Sequence, residues 1–377
     1  MTLIGDNLAI NLIWFALILM GLVLIHEAGH MVVAKWCGMK VERFSIFFGR
    51  PIAKFTKGET EYAIGWLPLG GYVKISGMTL GEQMPPEEAH RAYTAAPTWK
   101  KVATIAAGPA VNIVLAIVIF AAIFWIGVPT FNPSIQVAGV VKDSAAQAAG
   151  LQPGDRLLAV NGVAANGDPE RIRAELQSGA PGDKVVLTVS RDGDTVTRPA
   201  TLQALKNTDG STRTDPETGR PLAGLGFTFD VTPGPTVRSG PIEGLREGWD
   251  FTWFIVKTNV EVIGDAFVSS QAREQVSSIV GVGAVFNQVA DEGWITVLRF
   301  IGVISLALGI FNLIPILPLD GGHILFALLE KAKGSAFSAA TYGRASFVGL
   351  AIVMLIFVFA LQNDIGRITG EGFQINP

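Results

Sequence analysis

The chain of 377 residues has one cysteine, Cys37, and four histidines. A single thiol excludes an intramolecular disulfide and a thiolate metal cluster, and leaves Cys37 as a small apolar side chain. Charge is scarce as well: 16% of residues are charged and the formal net charge is -3, so the basic excess that marks a nucleic-acid partner is missing. No Lys or Arg precedes Lys35, which removes the basic leader of a cleaved signal peptide. What is abundant is apolar surface, with 49% hydrophobic residues and a mean hydropathy of +0.42. That composition belongs to a membrane protein.

Four stretches, 9–34, 102–128, 294–316 and 345–363, are long and apolar enough to cross a bilayer as helices. Ten Lys and Arg lie from Lys35 to Lys101, so the positive-inside rule places that loop in the cytoplasm and the amino terminus outside. It follows that 129–293 is external, that 317–344 with Lys331, Lys333 and Arg344 is cytoplasmic, and that the carboxy terminus is outside.

The external segment changes character at Asn132. QVAGVV, KVVLTVSR and TVTRPATLQAL read as strands, Asp192-Gly193 as a hairpin turn, and Pro169 to Gln177 as a helix capped by Asp168. Asn207 to Pro221 reads as a mobile loop. Farther on, Trp249, Trp253, Val256, Val260, Ile263 and Phe267 recur at steps of three and four. The pattern predicts an amphipathic helix along the outer membrane face, with packing on the inserted domain as the alternative. Between the first two spans, VERFSIFFG, TEYAIGW and GGYVKIS alternate like strands of a small sheet beside or within the membrane, which requires a protein or water-lined cleft around it.

The expected fold is a polytopic α-helical membrane protein of four transmembrane helices, with a membrane-associated β-hairpin or sheet and one inserted α+β domain. The segments are 1–128, 129–231 for the inserted domain, 232–293 for a linker with the amphipathic helix, and 294–377.

Ionisable residues inside a span mark function, and the first span carries three in His26-Glu27-Ala28-Gly29-His30. Residues four apart share a helix face, so His26 and His30 can grip one ion. Zinc takes imidazole nitrogens and, in catalytic sites, three protein ligands plus a water whose pKa falls to about 7. Glu27 is placed to move that water's proton. Asp320, in FNLIPILPLDGGH, is the candidate third ligand: Pro315 and Pro318 break the helix before it and Gly321-Gly322 permits a turn after it. His323 reads as a supporting or packing residue, and His90 as a solvated one.

These residues resemble the site-2 protease family of intramembrane zinc metalloproteases, in its bacterial form that cleaves anti-sigma factors. The resemblance rests on HEAGH, PLGGYVK, AGPAVN at Ala107 to Asn112, NLIPILPLDGG and NDIGRI. It implies His26, His30 and Asp320 as zinc ligands, Glu27 as general base, and Asn312, Asn112 and Gly108 as residues close to substrate or metal. Gly70, Gly71 and Tyr72 then belong to a membrane-embedded hairpin whose edge pairs with an unwound substrate segment. AAGLQPGDRLLAVNG resembles a PDZ domain, with Gly224, Leu225, Gly226 and Phe227 as its carboxylate loop in a permuted order. That domain either binds peptide or filters substrates by size. The resemblance further implies a bacterial inner-membrane protein with a periplasmic inserted domain and termini. Its substrate would be a single-span membrane protein in the bilayer, trimmed first by a periplasmic protease. The chain departs from the family pattern in the spacing of Pro318 from Asn312, which is one residue longer, and in having room for one PDZ-like domain where others have two. A zinc-binding membrane transporter or sensor would also use two histidines and an aspartate, and a PDZ-bearing scaffold would leave the metal residues unexplained.

Overall fold

The computed structural model describes residues 8–79, 82, 85–205, 212–214, 220–266 and 277–369. The chain forms two compact units, Gly127–Val237 and the remainder on either side of it. The flanking unit holds helices α1 (Leu8–Trp36), α2 (Thr98–Ile126), α5 (Pro241–Ala266), α6 (Ile279–Asp291), α7 (Trp294–Asn312), α8 (Asp320–Lys333) and α9 (Ala339–Thr369). Of these, α1, α2, α7 and α9 are long and apolar enough to span a membrane. A helix satisfies every backbone group internally, which is the condition for crossing lipid.

The spanning helices meet through small residues. A side chain on Gly29 of α1 would strike the Ala107 carbonyl of α2 at 2.6 Å, and one on Gly309 of α7 would stand 3.0 Å from the Pro109 carbonyl. The Ser305 hydroxyl donates to the Asn112 carbonyl at 2.8 Å. Without a hydrophobic drive between helices in lipid, such close approach and interhelical hydrogen bonds carry the packing.

Among the span boundaries that differ from those read in the sequence, two bear on the site and the topology. The third helix ends at Asn312 rather than 316, because Pro315 has no amide to donate and its ring crowds the preceding turn. The fourth begins at Ala339 and takes Arg344 into its first turns. Asp320 also departs from expectation: the irregular stretch is 313–319, and Asp320 opens helix α8.

α5 is longer than its tryptophan stripe indicated, and its buried contact lies on another face. A Cβ on Gly248 would stand 2.7 Å from the Ala121 amide of α2 and 2.9 Å from the Ile117 carbonyl, and Phe251 packs edge-on against Phe120 at 4.9 Å. Trp249 and Trp253 remain exposed. Phe267 lies outside the described residues. Helix α6 was not foreseen. Its Phe286 is fully buried against Phe15 of α1 and Phe300 of α7, and Asn11 of α1 donates to Asn287 at 2.8 Å.

Between α1 and α2 the chain forms β1 (Val41–Lys57) and β2 (Thr60–Ile75), a long bent ribbon. Residues 43–46 pair on one side with 61–64 and on the other with 71–74, while 51–57 pair with 60–65. The ribbon is thus a folded sheet in which Gly71 to Ile75 is an edge.

The inserted unit holds β3 (Val128–Val140), α3 (Ala145–Ala148), β4 (Arg156–Val160), β5 (Val163–Ala164), α4 (Pro169–Ser178), β6 (Lys184–Arg191), β7 (Asp194–Thr201), β8 (Gln203–Ala204), β9 (Ala223–Gly224) and β10 (Phe227–Val237). Its main sheet runs β10-β3-β4-β6-β7, with β5 paired to β4. Val137, Leu157, Val160, Ile172 and Leu187 form its core. Asp192 and Gly193 take φ of 53° and 91° between β6 and β7, as a two-residue hairpin with the strands' own twist requires. The Asp168 side chain caps α4 by accepting from the Glu170 amide. Asp155, buried, is held by Arg191 at 2.6 Å, and that guanidinium keeps its carboxyl below the ordinary aspartate range. Most of the stretch from Asn207 to Pro221 lies outside the described residues.

Candidate metal centre

Helical spacing puts His26 and His30 one turn apart on the buried face of α1, and the turn at 313–319 delivers Asp320 to the same point. The two Nε2 atoms are 3.2 Å apart, and Asp320 Oδ2 lies 3.0 Å from that of His26 and 3.3 Å from that of His30. These three are the group among the described residues whose ligand atoms converge in this way. Ligand atoms placed tetrahedrally at about 2.0–2.1 Å around one zinc ion stand about 3.3 Å apart, so the donor set fits zinc in chemistry and spacing.

The fit extends to the surroundings. His30 Nδ1 lies 2.9 Å from the Thr104 carbonyl of α2; donating a proton there leaves Nε2 free as a ligand, the usual arrangement for a metal-binding histidine. A Cβ on Gly108 would collide with His30 Nε2 and come within 2.8 Å of His26 Nε2, so glycine is what lets α2 close over the site. Gly321 and Gly322 play the same part at Asp320, where a Cβ on either would strike the backbone of 313–317.

Glu27, half-buried, faces the edge of the folded sheet. Gly71 leaves 3.6 Å between its Cβ position and Glu27 Cγ. Gly70, at φ of 112°, lets the strand turn in beside Val23. A carboxylate and a strand edge thus stand together beside the three converging donor atoms.

Comparison with known proteins agrees with this geometry. A family model described as Peptidase family M50 matches residues 14–356. The chain belongs to peptidase family M50. Among relatives of this M50 peptidase, a Rhizobium meliloti protein named as a zinc metalloprotease is 33% identical over 98% of this chain and 100% of its own length. One of the same designation from Agrobacterium fabrum is 34% identical, covering 94% of this chain and 96% of that one. The Regulator of sigma-E protease RseP of Escherichia coli is 29% identical over 92% of this chain and 96% of its own. Among solved structures, the PDZ domain of an SdrC-like protein from Listeria monocytogenes matches 26% of the peptidase at 21% identity, covering 86% of that chain, with a TM-score of 0.20.

The other expected site residues of the peptidase lie outside the cluster of three converging donors. Asn112 is fully buried, and among the described residues its amide has no hydrogen-bond partner. The Asn312 amide donates back to the Leu308 carbonyl at 3.0 Å. The Tyr72 hydroxyl accepts from Arg43 at 3.2 Å, and its ring stacks on Phe48. His323 bonds with the Tyr342 hydroxyl at 3.3 Å, joining α8 to α9. In the inserted unit, Gly224 ends β9, Leu225 is buried with its carbonyl accepting from Ala146, Gly226 has φ of 78°, and Phe227 opens β10. The Thr104 carbonyl and Gly29 were missed in the sequence, the first because a backbone group carries no letter of its own.

Proposed function

We propose that this M50 peptidase is an intramembrane zinc metalloprotease, hydrolysing a peptide bond in the membrane segment of a single-span protein. The observation that carries the reading is the junction of base and strand edge: Glu27, next to His26 in sequence, lies against the edge strand 71–75, where a Cβ on Gly71 would stand 3.6 Å from its Cγ. His26, His30 and Asp320 hold the metal, and the metal is zinc. Zinc bound there supplies Lewis acidity, polarising the scissile carbonyl and lowering the pKa of water toward neutrality. Glu27 takes the proton of the attacking water and returns it to the leaving nitrogen. A membrane helix hides its peptide bonds in its own hydrogen bonds, so the substrate must first unwind. The edge at Gly71 to Ile75 replaces those bonds by strand addition and holds the extended backbone alongside Glu27.

In this reading the substrate resembles an anti-sigma factor trimmed by an external protease. The inserted PDZ-like domain, spanning 129–231, screens it as a peptide groove or a size filter. The peptidase sits in a bacterial inner membrane with both termini and that domain on the periplasmic side.

The test compares wild-type protein and Glu27→Gln in detergent for bound zinc and for cleavage of a single-span substrate lacking its external domain. Near-stoichiometric zinc in both is expected, with cleavage reduced at least about 100-fold in the variant. Zinc in both with cleavage in neither, across several truncated spans, would replace this reading with a zinc transporter or sensor.

A further inference from the structure

α9 supplies none of the three converging donors, and much of it is exposed, Phe347, Val348 and Leu350 included. Gly349, between them, is buried. Tyr342, Gly349, Ala360 and Asp364 follow one another at steps of seven, eleven and four, which places them on one face of the helix. That face is the one by which α9 is attached. Tyr342 bonds with His323 of α8 at 3.3 Å, Ala360 is buried, and Asp364 accepts from the Ser278 and Gly281 amides at 2.7 Å and 2.9 Å.

At Gly349 the attachment falls on the support of the metal centre. A Cβ there would land on the Leu317 carbonyl and stand 2.8 Å from Ile316 Cγ2. From the other side, a Cβ on Gly322 would land on the Leu317 amide. The turn 313–319 is therefore gripped between α8 and α9 at two positions that carry no side chain, and Leu317 is buried in the grip. Such a turn needs outside support. Pro315 and Pro318 have no amide to donate, and between Ile314 and Leu319 the backbone bonds are those from Ile316 to the Ile314 carbonyl at 2.7 Å and from Leu319 to the Ile316 carbonyl at 2.9 Å. Neither reaches Leu317. Asp320 follows directly, and its Oδ2 stands 3.0 Å and 3.3 Å from the two histidine nitrogens. A ligand set of this kind works when its supports hold it to within about 0.5 Å.

We propose that Gly349 is a positioning residue of the metal centre: it lets α9 seat against the Leu317 carbonyl, and the turn braced in this way fixes the Asp320 carboxylate beside His26 and His30. On the reading above, in which Asp320 is a zinc ligand, a span that offers no ligand of its own thereby helps to set the affinity for the metal.

The experiment uses the full-length protein in nanodiscs, as wild type and as Gly349→Ala, Ile316→Ala, Gly343→Ala, Gly281→Ala and Asp320→Ala. Zinc affinity is read by competition with a graded chelator, and ligand geometry by the visible absorption of the site loaded with cobalt in place of zinc. Gly349→Ala should bind zinc roughly 10- to 100-fold more weakly and alter the cobalt band. Ile316→Ala, which removes packing from the turn without adding bulk, should change both in the same direction by less. At Gly343, on α9, no described residue comes within 4 Å of the Cβ position, and a Cβ on Gly281 strikes α9 at Asp364, away from the turn. These two variants should keep the wild-type affinity and spectrum. Wild-type affinity and spectrum in either Gly349→Ala or Ile316→Ala would overturn the assignment, and Ile316→Ala decides alone where Gly349→Ala fails to accumulate in the membrane. Equal weakening in Gly281→Ala would overturn it too, since a general loosening of α9 would then be the cause. Wild-type zinc affinity in Asp320→Ala refutes the ligand reading itself.

Discussion

A methyl group at position 108 would land on His30 Nε2 and near His26 Nε2, so the smallest residue in the site is among its most constrained. Gly108→Ala is expected to lower zinc affinity about 10- to 100-fold, the range seen when the surroundings of metal ligands are disturbed. Metal content after dialysis against a graded chelator, with helix content followed by circular dichroism, checks it; unchanged zinc retention would show that α2 can retreat. At this scale the convergence of His26 and His30 was legible because a four-residue step on a helix is also a step in the sequence. Asp320 was legible because two prolines and two glycines frame it. The Thr104 carbonyl that orients His30 was not, since every residue has one and only the packing of α2 on α1 selects it.

Among the elements, α5 shows that an apolar stripe does not by itself name the face that packs on protein. Its tryptophans gave the periodic signal, yet Gly244 and Gly248, four apart, make the contact with Trp125, Ala121 and Ile117 of α2. Glycine contributes little to a hydrophobic stripe but lets two backbones approach, and it does so in the spacing used by packed membrane helices. At Gly264, on the same helix, no described residue comes within 4 Å of the Cβ position. Gly248→Ala is therefore expected to destabilise the protein by about 1–3 kcal/mol through overpacking. Gly264→Ala should stabilise it by up to about 1 kcal/mol through helix propensity. Thermal unfolding of the two variants in one detergent reads the difference, and equal shifts would refute the contact.

The ion pair between Asp155 and Arg191 belongs to the same scale. The folded-state pKa of Asp155 lies below its ordinary value, so the pair's contribution is complete above the ordinary aspartate range and is lost as pH falls through the lower, folded pKa. Arg191→Ala leaves a buried carboxylate with the Gln152 amide but no guanidinium, at a cost of about 1–3 kcal/mol, and should reduce the Asp155 part of the acid dependence. Amide exchange in β4 and β6, followed from pH 7 downward, measures both effects.

For the whole molecule, the four long apolar helices were plain in the hydropathy, while α6 was not. At 13 residues it is too short to span, and its burial depends on Phe15 and Phe300 from distant parts of the chain. The orientation proposed from the basic loop can be tested with little background because Cys37 is buried. In spheroplasts, a cysteine placed at exposed Asp194 should react with an impermeant maleimide, and one at exposed Thr56 only after the membrane is opened. The reverse pattern would invert the assignment.

The inserted unit enters and leaves through partnered ends. Val128 pairs with Val237 and Pro129 with Thr236, and just outside them the Ser239 amide donates to the Phe124 carbonyl at 3.1 Å. In evolutionary terms this is a socket: a module whose first and last residues are neighbours can be exchanged, doubled or deleted without restringing the helices that carry the chemistry. Selection on what the enzyme may reach is thereby uncoupled from selection on how it cuts.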